Sequence, residues 1–427
     1  MNAKTIVLGA GPAGLAFSYE YGGHSLILEK ENRAGGLSKS VKIFDGVFDL
    51  GGHSFHTPHP EIASLVQTIM GDNWHQQKRD AQVWIEGSLI PYPFQHHYPK
   101  LNNQQINDDC EISSPGNTTK AAQSANFEEW IINKFGTGIS NHFMLPYNRK
   151  LWAHPLTDIC IDWVDQRIAT SMEVKNQSKK QRKPLQSNSK VGYPLHGGFG
   201  QIFEELAKHC KRIQFEQEVN QIDIRNQTLT TTTGDRWQWE TIVSTIPITQ
   251  LLKCINECPS SILELTNNLK QVSLKILLVL ARLHNTRVPQ RIYIADPKIP
   301  PHKVAFNHTS SPLLLERDNH AIMCEISYSA SKPPATDEDL TEQSIRWLID
   351  AGIINNLRDI LHTQIVDLPH GYPINTHGKA ESIQTIKAFL RSHNIDSIGR
   401  FGAWDYANSD ECMRQGLELA RELKQST

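Results

Sequence analysis

The chain of 427 residues has few cysteines, and none of them has the spacing of a metal site. Its seven cysteines are scattered and odd in number, and Cys254 and Cys258 are the one closely spaced pair. Structural zinc sites need several thiolates or imidazoles at short spacings. The pattern therefore predicts no metal site and no disulfide framework, and it favours the reducing cytoplasm.

Long hydrophobic runs and an excess of one charge are also missing. The most apolar stretch beyond the N-terminal run, residues 274–283, is short and contains Lys275 and Arg282, so it predicts a buried strand and no membrane span. The N-terminal apolar run lacks the small-residue cleavage site of a signal peptide. With a net charge of −2, no overall field recruits nucleic acid or an anionic membrane.

A glycine motif follows the first predicted strand. The run TIVL, residues 5–8, is apolar and β-branched, and a helix-compatible segment comes after it. In the G-x-G-x-x-G spacing the first glycine permits a tight turn, the second lets a pyrophosphate approach the backbone, and the third lets helix and strand pack closely. The motif predicts a dinucleotide site made by Gly9, Gly11, Pro12, Ala13 and Gly14.

The residues after the second predicted strand narrow the choice of dinucleotide. Glu29 comes twenty residues after Gly9, where its carboxylate can bind an adenosine ribose of either NAD or FAD. The sequence RAGGLS at 33–38 resembles the second glycine pair of amine-oxidase-like flavoproteins, and this favours FAD. The contacts predicted here are Glu29, Lys30, Gly35, Gly36 and Leu37.

The glycine motifs and the periodicity together predict an α/β protein with a Rossmann-like FAD-binding domain, an inserted, mostly helical domain and a second, antiparallel-sheet domain, which is expected to be the substrate domain. The lysine-rich run from Lys175 to Lys190 is interpreted as a solvated loop or as a flap over an anion. The predicted boundaries are 1–80 for the first part of the FAD-binding domain, 81–98 for substrate-sheet strands, 99–125 for a surface loop, 126–190 for the helical insertion with its flap, 191–250 for the second part of the FAD-binding domain, 251–395 for the substrate-domain sheet and helix, and 396–427 for the closing segment.

Six separated blocks over most of the chain resemble the UDP-galactopyranose mutases, particularly the eukaryotic type. The blocks are GGH at 51–53, Arg79 with YPFQ at 92–95, MLPYNRKLWA at 144–153, Arg167, Asn188, and Tyr372 with GRFGAWDY at 399–406. The resemblance implies further cofactor contacts at Gly51, Gly52, His53, Arg400, Asn408 and Ser409. A backbone contact to the adenine is also predicted at Val219.

The same resemblance implies a substrate site for a UDP-sugar. Uracil suits aromatic and amide side chains, whereas a diphosphate suits arginine and phenol groups. The implied substrate-binding residues are Arg79, Tyr92, Phe94, Gln95, Asn148, Trp152, Arg167, Asn188, Tyr293, Lys303, Tyr372 and Tyr406. Those expected to take part in catalysis are His53, Arg167, Tyr372, Tyr406 and Lys303.

Two departures from the family pattern concern the diphosphate. Where the family has a second arginine, this chain reads PHKV at 301–304, and Lys303 is the nearest cation. Lysine supplies charge without a bidentate fork. An expected tyrosine is also replaced around residues 307–309. The sugar or the leaving group could therefore differ from those of UDP-galactose.

The resemblance implies interconversion of the pyranose and furanose forms of UDP-galactose or a close analogue. Reduced FAD would displace UDP through a flavin N5–sugar adduct, with NAD(P)H as the candidate reductant. A homo-oligomer is compatible with the sequence. One alternative is an FAD-dependent oxidoreductase of the amine-oxidase or protoporphyrinogen-oxidase type, which needs an apolar or amine-lined cavity. Another is a nucleotide-sugar-binding protein without flavin chemistry.

Overall fold

The computed structural model of the protein describes residues 4–112, 118–164, 168 and 189–426. Its strands are β1 Thr5–Leu8, β2 Ser25–Leu28, β3 Ser40–Ile43, β4 Gly46–Asp49, β5 His75–Lys78, β6 Ala81–Ile85, β7 Ser88–Pro91, β8 Lys190–Tyr193, β9 Ile213–Gln214, β10 Val219–Asp223, β11 Thr228–Thr231, β12 Arg236–Gln238, β13 Thr241–Ser244, β14 Gln271–Ala281, β15 Arg291–Ile294, β16 Lys303–Phe306, β17 His320–Tyr328, β18 Ile360–Pro373 and β19 Ile395–Ser397. Its α-helices are α1 Pro12–Tyr21, α2 Pro60–Met70, α3 Phe94–His97, α4 Gln104–Ile112, α5 Thr118–Ala122, α6 Phe127–Ile139, α7 Leu145–Trp152, α8 Gln201–Lys208, α9 Ile248–Cys254, α10 Ser260–Glu264, α11 Pro312–Leu315, α12 Asp337–Asp350, α13 Lys379–Arg391, α14 Gly399–Gly402 and α15 Ser409–Ser426.

A five-stranded parallel sheet carries the glycine motif. Its order is β19-β13-β1-β2-β9, so strands from both ends of the chain meet in it. β1 and β2 are buried along their whole length, as expected for parallel strands covered on both faces. α15 packs so closely on α1 that a Cβ on Gly416 would lie 2.3 Å from the carbonyl oxygen of Ala13. The Rossmann-like part of the predicted fold is confirmed.

A seven-stranded sheet forms the second layer, in the order β18-β14-β17-β16-β15-β6-β7. Its neighbours pair antiparallel except for β6 and β15, which run parallel. The apolar run predicted as a buried strand is β14, which is held between β17 and β18. The second sheet is therefore present but is mixed, because β6 joins it from an early part of the chain.

The helical region begins at the predicted cap. The Asn126 side chain accepts a hydrogen bond from the backbone N–H of Glu129 at 3.0 Å, and the Glu129 carboxylate accepts one from the N–H of Ala125 at 2.7 Å. This reciprocal pair satisfies N–H groups at the start of α6. After α6, a π-helical turn at Ser140–Met144 leads directly into α7.

Two predictions of local structure were wrong or incomplete. Residues 99–125 are not a plain surface loop, because α4 and α5 lie within them and bury Ile106, Cys110 and Ala121. The apolar residues at 106 and 110 have the i, i+4 spacing of a helix face. The fourteen-residue strand β18 was not predicted, because it is a sheet edge that mixes polar with apolar residues and has no buried residue before Gly371.

None of the described helices has both the length and the hydropathy to cross a membrane. Among the same residues, no three histidine, cysteine or carboxylate side chains are grouped to hold a metal ion. Most of the predicted flap, together with Arg167 and Asn188, lies outside the described residues.

Candidate active site

One cavity of about 750 Å³ is lined by both large sheets and the helical region. It brings together the predicted dinucleotide residues and most of the predicted substrate residues. The predicted residues on its wall are Gly9, Gly11, Pro12, Ala13, Glu29, Lys30, Gly36, Leu37, Gly51, Gly52, His53, Arg79, Tyr92, Gln95, Asn148, Trp152, Tyr293, Lys303, Tyr372, Arg400, Tyr406, Asn408 and Ser409.

Four predicted residues lie behind that wall. Gly14 packs on the turn, where a Cβ would meet the Gly9 carbonyl oxygen at 2.1 Å, and Gly35 donates its N–H to the Ala10 carbonyl at 2.9 Å. Phe94 has 0% exposure because its ring stacks on Phe143 in the core. Val219 opens β10, and its carbonyl accepts a hydrogen bond from the Cys254 thiol. Phe94 and Val219 are not among the residues on the cavity wall, so a direct contact of either with a ligand stays a prediction.

The dinucleotide end of the cavity is made largely of backbone. Gly9 has a φ of 101°, and the first turn of α1 receives no side-chain cap at Gly11. Gly36 approaches so closely that a Cβ on it would lie 3.2 Å from the Gly11 Cα. The Glu29 carboxylate is fixed by the N–H groups of Ala10 at 2.6 Å and residue 31 at 2.9 Å. Uncapped helix N–H groups beside a fixed acid fit a pyrophosphate and a ribose.

The loop after β4 places His53 between the two ends of the cavity. Its ring stacks on Phe199 with centroids 4.9 Å apart. Burial, opposed in part by Glu325, lowers the pKa of His53 to about 3, so the imidazole is neutral. Within the described part of the chain, the buried Nδ1 has no hydrogen-bond partner. This nitrogen can therefore donate a hydrogen bond to a bound group or accept one from it, depending on the tautomer.

Arginines and phenols line the middle of the cavity. Arg79 donates from Nη2 to the Tyr293 hydroxyl at 2.8 Å, and its guanidinium lies 5.1 Å from the Tyr92 ring centroid. The Arg400 guanidinium lies 5.6 Å from the Tyr372 ring and 5.8 Å from the Tyr406 ring. Such cations on phenol faces form an anion-binding surface.

The hydroxyl of Tyr293 is unusually acidic. Burial disfavours its ionised form, but the nearby charges of Arg79 and Arg291 outweigh burial and lower its pKa to about 8. A buried phenol beside two guanidinium groups reports a strong positive potential at this point. This part of the cavity therefore attracts anions.

Sequence reasoning missed Arg291. It has 8% exposure, lines the cavity, and donates from Nη2 to the Ser54 hydroxyl at 2.5 Å. Burial lowers its pKa, although a guanidinium keeps its charge in proteins. The available signal was the pattern Arg-Ile-Tyr-Ile of β15, because alternation puts Arg291 and Tyr293 on one face.

Sequence reasoning also missed Glu325, the single acid within the apolar β17. It has 1% exposure, and its carboxylate contacts the Lys303 ammonium at 2.7 Å. It also accepts hydrogen bonds from the Gly52 N–H at 2.5 Å and the Tyr372 hydroxyl at 3.2 Å. Burial raises its pKa, but Lys303 outweighs burial and brings it to about 2. Lys303 is therefore paired with an acid of the protein, and its charge is not fully available to a bound diphosphate.

The far end of the cavity combines aromatic rings with amides. Trp152 has 1% exposure, and its ring centroid lies 5.2 Å from Trp163 and 5.6 Å from Tyr406. Asn148 donates from its amide nitrogen to the Met144 carbonyl at 2.7 Å. That bond uses one of the two N–H donors of the amide, so the other N–H and the amide oxygen are left for a ligand. Gln95 lines the same cavity.

Comparisons with known proteins agree with this architecture. Residues 7–69 match a sequence profile described as an NAD(P)-binding Rossmann-like domain. The whole chain superposes on reduced UDP-galactopyranose mutase with a TM-score of 0.88, covering 95% of that protein at 23% sequence identity. The chain has that fold. A putative protoporphyrinogen oxidase from Exiguobacterium sp. 255-15 is also similar, with a TM-score of 0.74, 15% identity, and coverage of 100% of this chain and 99% of that one.

An amine oxidase has the same architecture. Cyclohexylamine oxidase from Brevibacterium oxydans IH-35A gives a TM-score of 0.72 at 13% identity, with coverage of 100% of this chain and 99% of that one. The fold is thus shared by proteins named as mutases and as oxidases. The fold alone does not choose between the two chemistries, so the choice rests on the side chains of the cavity.

Proposed function

We propose that this protein is a flavin-dependent nucleotide-sugar mutase that interconverts the pyranose and furanose forms of UDP-galactose or a close analogue. The observation that carries the proposal is the continuity of the cavity. It extends from the glycine motif and Glu29 to Tyr92, Asn148 and Trp152. A dinucleotide and a nucleotide-sugar therefore fit in one space, with their reactive parts meeting near His53.

The cofactor that we propose is FAD, held by the backbone around Gly11 and Gly36 and by the Glu29 carboxylate. A bound reduced flavin supplies a nucleophilic ring nitrogen to the sugar carbon and needs no net electron transfer. The neutral His53 imidazole can hydrogen-bond a polar edge of the flavin ring through its unpartnered Nδ1. Its role is to orient that ring toward the substrate.

The arginines would bind the diphosphate and stabilise it as it leaves. Charge develops on the diphosphate when its bond to the sugar breaks, and fixed cations in a buried site stabilise that charge. Arg79, Arg291 and Arg400 supply these cations, and Tyr406 can donate a hydrogen bond. The charge of Lys303 is offset by Glu325 at 2.7 Å, so Lys303 is the weaker contributor. We therefore assign the place of the second diphosphate cation, for which the sequence offered Lys303, to Arg291.

The amide side chains suit a base with an amide-like edge. The Asn148 amide uses one of its two N–H donors on the Met144 carbonyl, so one N–H and the oxygen are left for a ligand. Uracil presents an N–H between two carbonyl oxygens, and it can pair with both of these groups. Asn148 and Gln95 would therefore hold the edge of the base while Trp152 lies against its ring.

An amine-oxidising alternative shares the fold but fits the cavity less well. A protonated amine would have to approach Arg79, Arg291 and Arg400 in a buried site, and like charges repel strongly there. A porphyrin or carotenoid would need an apolar wall, yet this wall carries several charged and phenolic groups. The lining therefore supports an anionic, sugar-linked substrate.

The test is a redox-neutral exchange assay. The purified protein is first checked for FAD by its absorbance spectrum, and then reduced with dithionite or NADPH without oxygen. It is incubated with UDP-galactopyranose and other UDP-hexoses, and ring exchange is followed by NMR. Exchange that requires reduced flavin supports the mutase. Oxygen consumption with amines, without any ring exchange, would reject the proposal in favour of the oxidase.

A further inference from the structure

Lys150 is a buried lysine on α7 that has no part in the function proposed above. Its residue exposure is 5%, and it is not among the described residues that line the cavity. The ammonium donates to the carbonyl oxygens of Ile294 at 3.0 Å, Asp296 at 2.9 Å and Pro301 at 2.8 Å. A lysine ammonium has three N–H donors, so all of them are used.

The three acceptors lie in one place. Ile294 ends β15, and Asp296 and Pro301 belong to the connection from β15 to β16. β15 carries Arg291 and Tyr293 on the anion-binding wall, and β16 begins at Lys303. Lys150 thus connects α7, which carries the base-binding side chains, to the β15–β16 hairpin, which carries the anion-binding side chains.

Stability alone does not explain a lysine at this position. Burial lowers the pKa of Lys150 to about 7, although nearby Asp296 partly opposes that shift. An ammonium in the interior is held at a desolvation cost that an apolar side chain of similar size would not have. The ammonium contributes to positioning, because its hydrogen bonds to three converging carbonyls fix α7 relative to the β15–β16 hairpin.

We propose that Lys150 is a positioning residue that sets the separation between the uridine-binding helix α7 and the diphosphate-binding β15–β16 hairpin. The inference rests on the proposed function, since it assumes that one ligand spans both elements. A ligand that contacts both elements needs the correct separation. A ligand that contacts only one element does not.

The test compares a spanning ligand with its fragments. Lys150→Met keeps the length of the side chain and removes its three hydrogen bonds. Dissociation constants for UDP, uridine and pyrophosphate are measured by calorimetry on the flavin-loaded protein at pH 6, below the pKa of about 7. We expect UDP to bind about tenfold more weakly, and each fragment to change less than about threefold, because misplacement mainly affects a ligand held at both ends.

Two further substitutions control for charge and for folding. Lys150→Arg keeps the positive charge, but its planar fork cannot match three carbonyls that converge on one nitrogen, so UDP should still bind more weakly. If Lys150→Met does not fold, the same dissociation constants are measured on Lys150→Gln. Lys208→Met is the control, because Lys208 pairs with Glu205 at 2.7 Å and neither residue lines the cavity. It should leave all three affinities unchanged.

The outcomes separate this inference from the proposed function. UDP affinity that is unchanged in the Lys150 variants overturns the positioning role while leaving the function standing. An equal loss for UDP and uridine also overturns it, since that result means local damage to the base site. A wild-type protein that binds no UDP overturns the proposed function and the inference with it.

Discussion

The two ends of the cavity are built in different ways. The dinucleotide end uses backbone N–H groups and close glycine contacts from nearby stretches of chain, with Glu29 as its principal side chain. The nucleotide-sugar end uses side chains from β15, β17, α7 and several loops. A backbone site tolerates no added atoms, whereas a side-chain site can change its ligand through single substitutions. The same fold can therefore keep its cofactor site and vary its chemistry.

The largest expected effect comes from a substitution at the dinucleotide end of the cavity. Gly14→Ala places a Cβ 2.1 Å from the Gly9 carbonyl, so α1 must move away from the turn. We expect loss of bound flavin and a decrease of about 3 kcal/mol in the free energy of unfolding, measured by absorbance and denaturant titration. Gly23→Ala is the control, because a Cβ on Gly23 meets only the flexible side chain of Lys211. Full flavin content in Gly14→Ala would contradict this description of the dinucleotide end.

Removing a charge from the side-chain end should lower turnover without releasing flavin. Arg291→Met keeps much of the buried volume but removes a fixed cation from the anion-binding wall. Because such groups stabilise a leaving group mainly in the transition state, kcat should decrease about a hundredfold. The measurement is ring exchange under saturating substrate, with Arg236→Met, on an exposed strand, as the control. An unchanged kcat would show that Arg291 is only structural.

The third prediction concerns pH at the same wall. The pKa of Tyr293 is lowered to about 8, so its phenol is neutral below that pH and becomes a phenolate above it. A phenolate repels the diphosphate and offsets Arg79, so UDP affinity should fall by up to about tenfold per pH unit above 8. Calorimetry between pH 6.5 and 9.5 would show the decrease.

Two variants test whether Tyr293 is responsible for this decrease. Tyr293→Phe should remove the inflection near pH 8 in the plot of UDP affinity against pH. Tyr147→Phe should keep it, because burial raises the pKa of Tyr147 well above its usual value and the phenol stays neutral. An inflection that persists without Tyr293 would assign the pH dependence to another group.

The smallest expected effect lies outside both ends of the cavity. Glu129→Ala removes the carboxylate that bonds the N–H before α6, so the protein should lose about 1 kcal/mol of stability. Urea unfolding measures the loss, and UDP affinity and flavin content should stay unchanged. Glu128→Ala, which removes only an exposed ion pair with Arg149, should cost less. A change in UDP affinity for Glu129→Ala would mean that the cap also shapes the cavity.

The contrast between the two ends also explains what the sequence could predict. The glycine motif, Glu29 and the buried strand β14 depend on local patterns, and the structure shows each of them. Glu325 depends on the Gly52 N–H from a residue 273 positions earlier, and Arg291 on a hydroxyl 237 positions earlier. No local pattern reveals such partners. A charged residue inside an otherwise apolar strand was the available signal for both.

The spacing of the motif residues predicted which residues lie at the site better than it predicted which way their side chains point. Tyr92 lines the cavity, but Phe94 does not, because α3 begins at Phe94 and turns that ring into the core. The edge strand β18 has no continuous apolar run, so periodicity alone could not identify it, although it ends near Tyr372. These details depend on packing between distant segments.

The packing of α15 on α1 determines when the cofactor site is completed during synthesis. The glycine motif is synthesised before the helices that pack on α1, which are α8 and the helix that contains Gly416. β19, the outermost strand on one side of the same sheet, is also translated late. The residues of α1 therefore have to wait, with apolar surface uncovered, for residues synthesised hundreds of positions later.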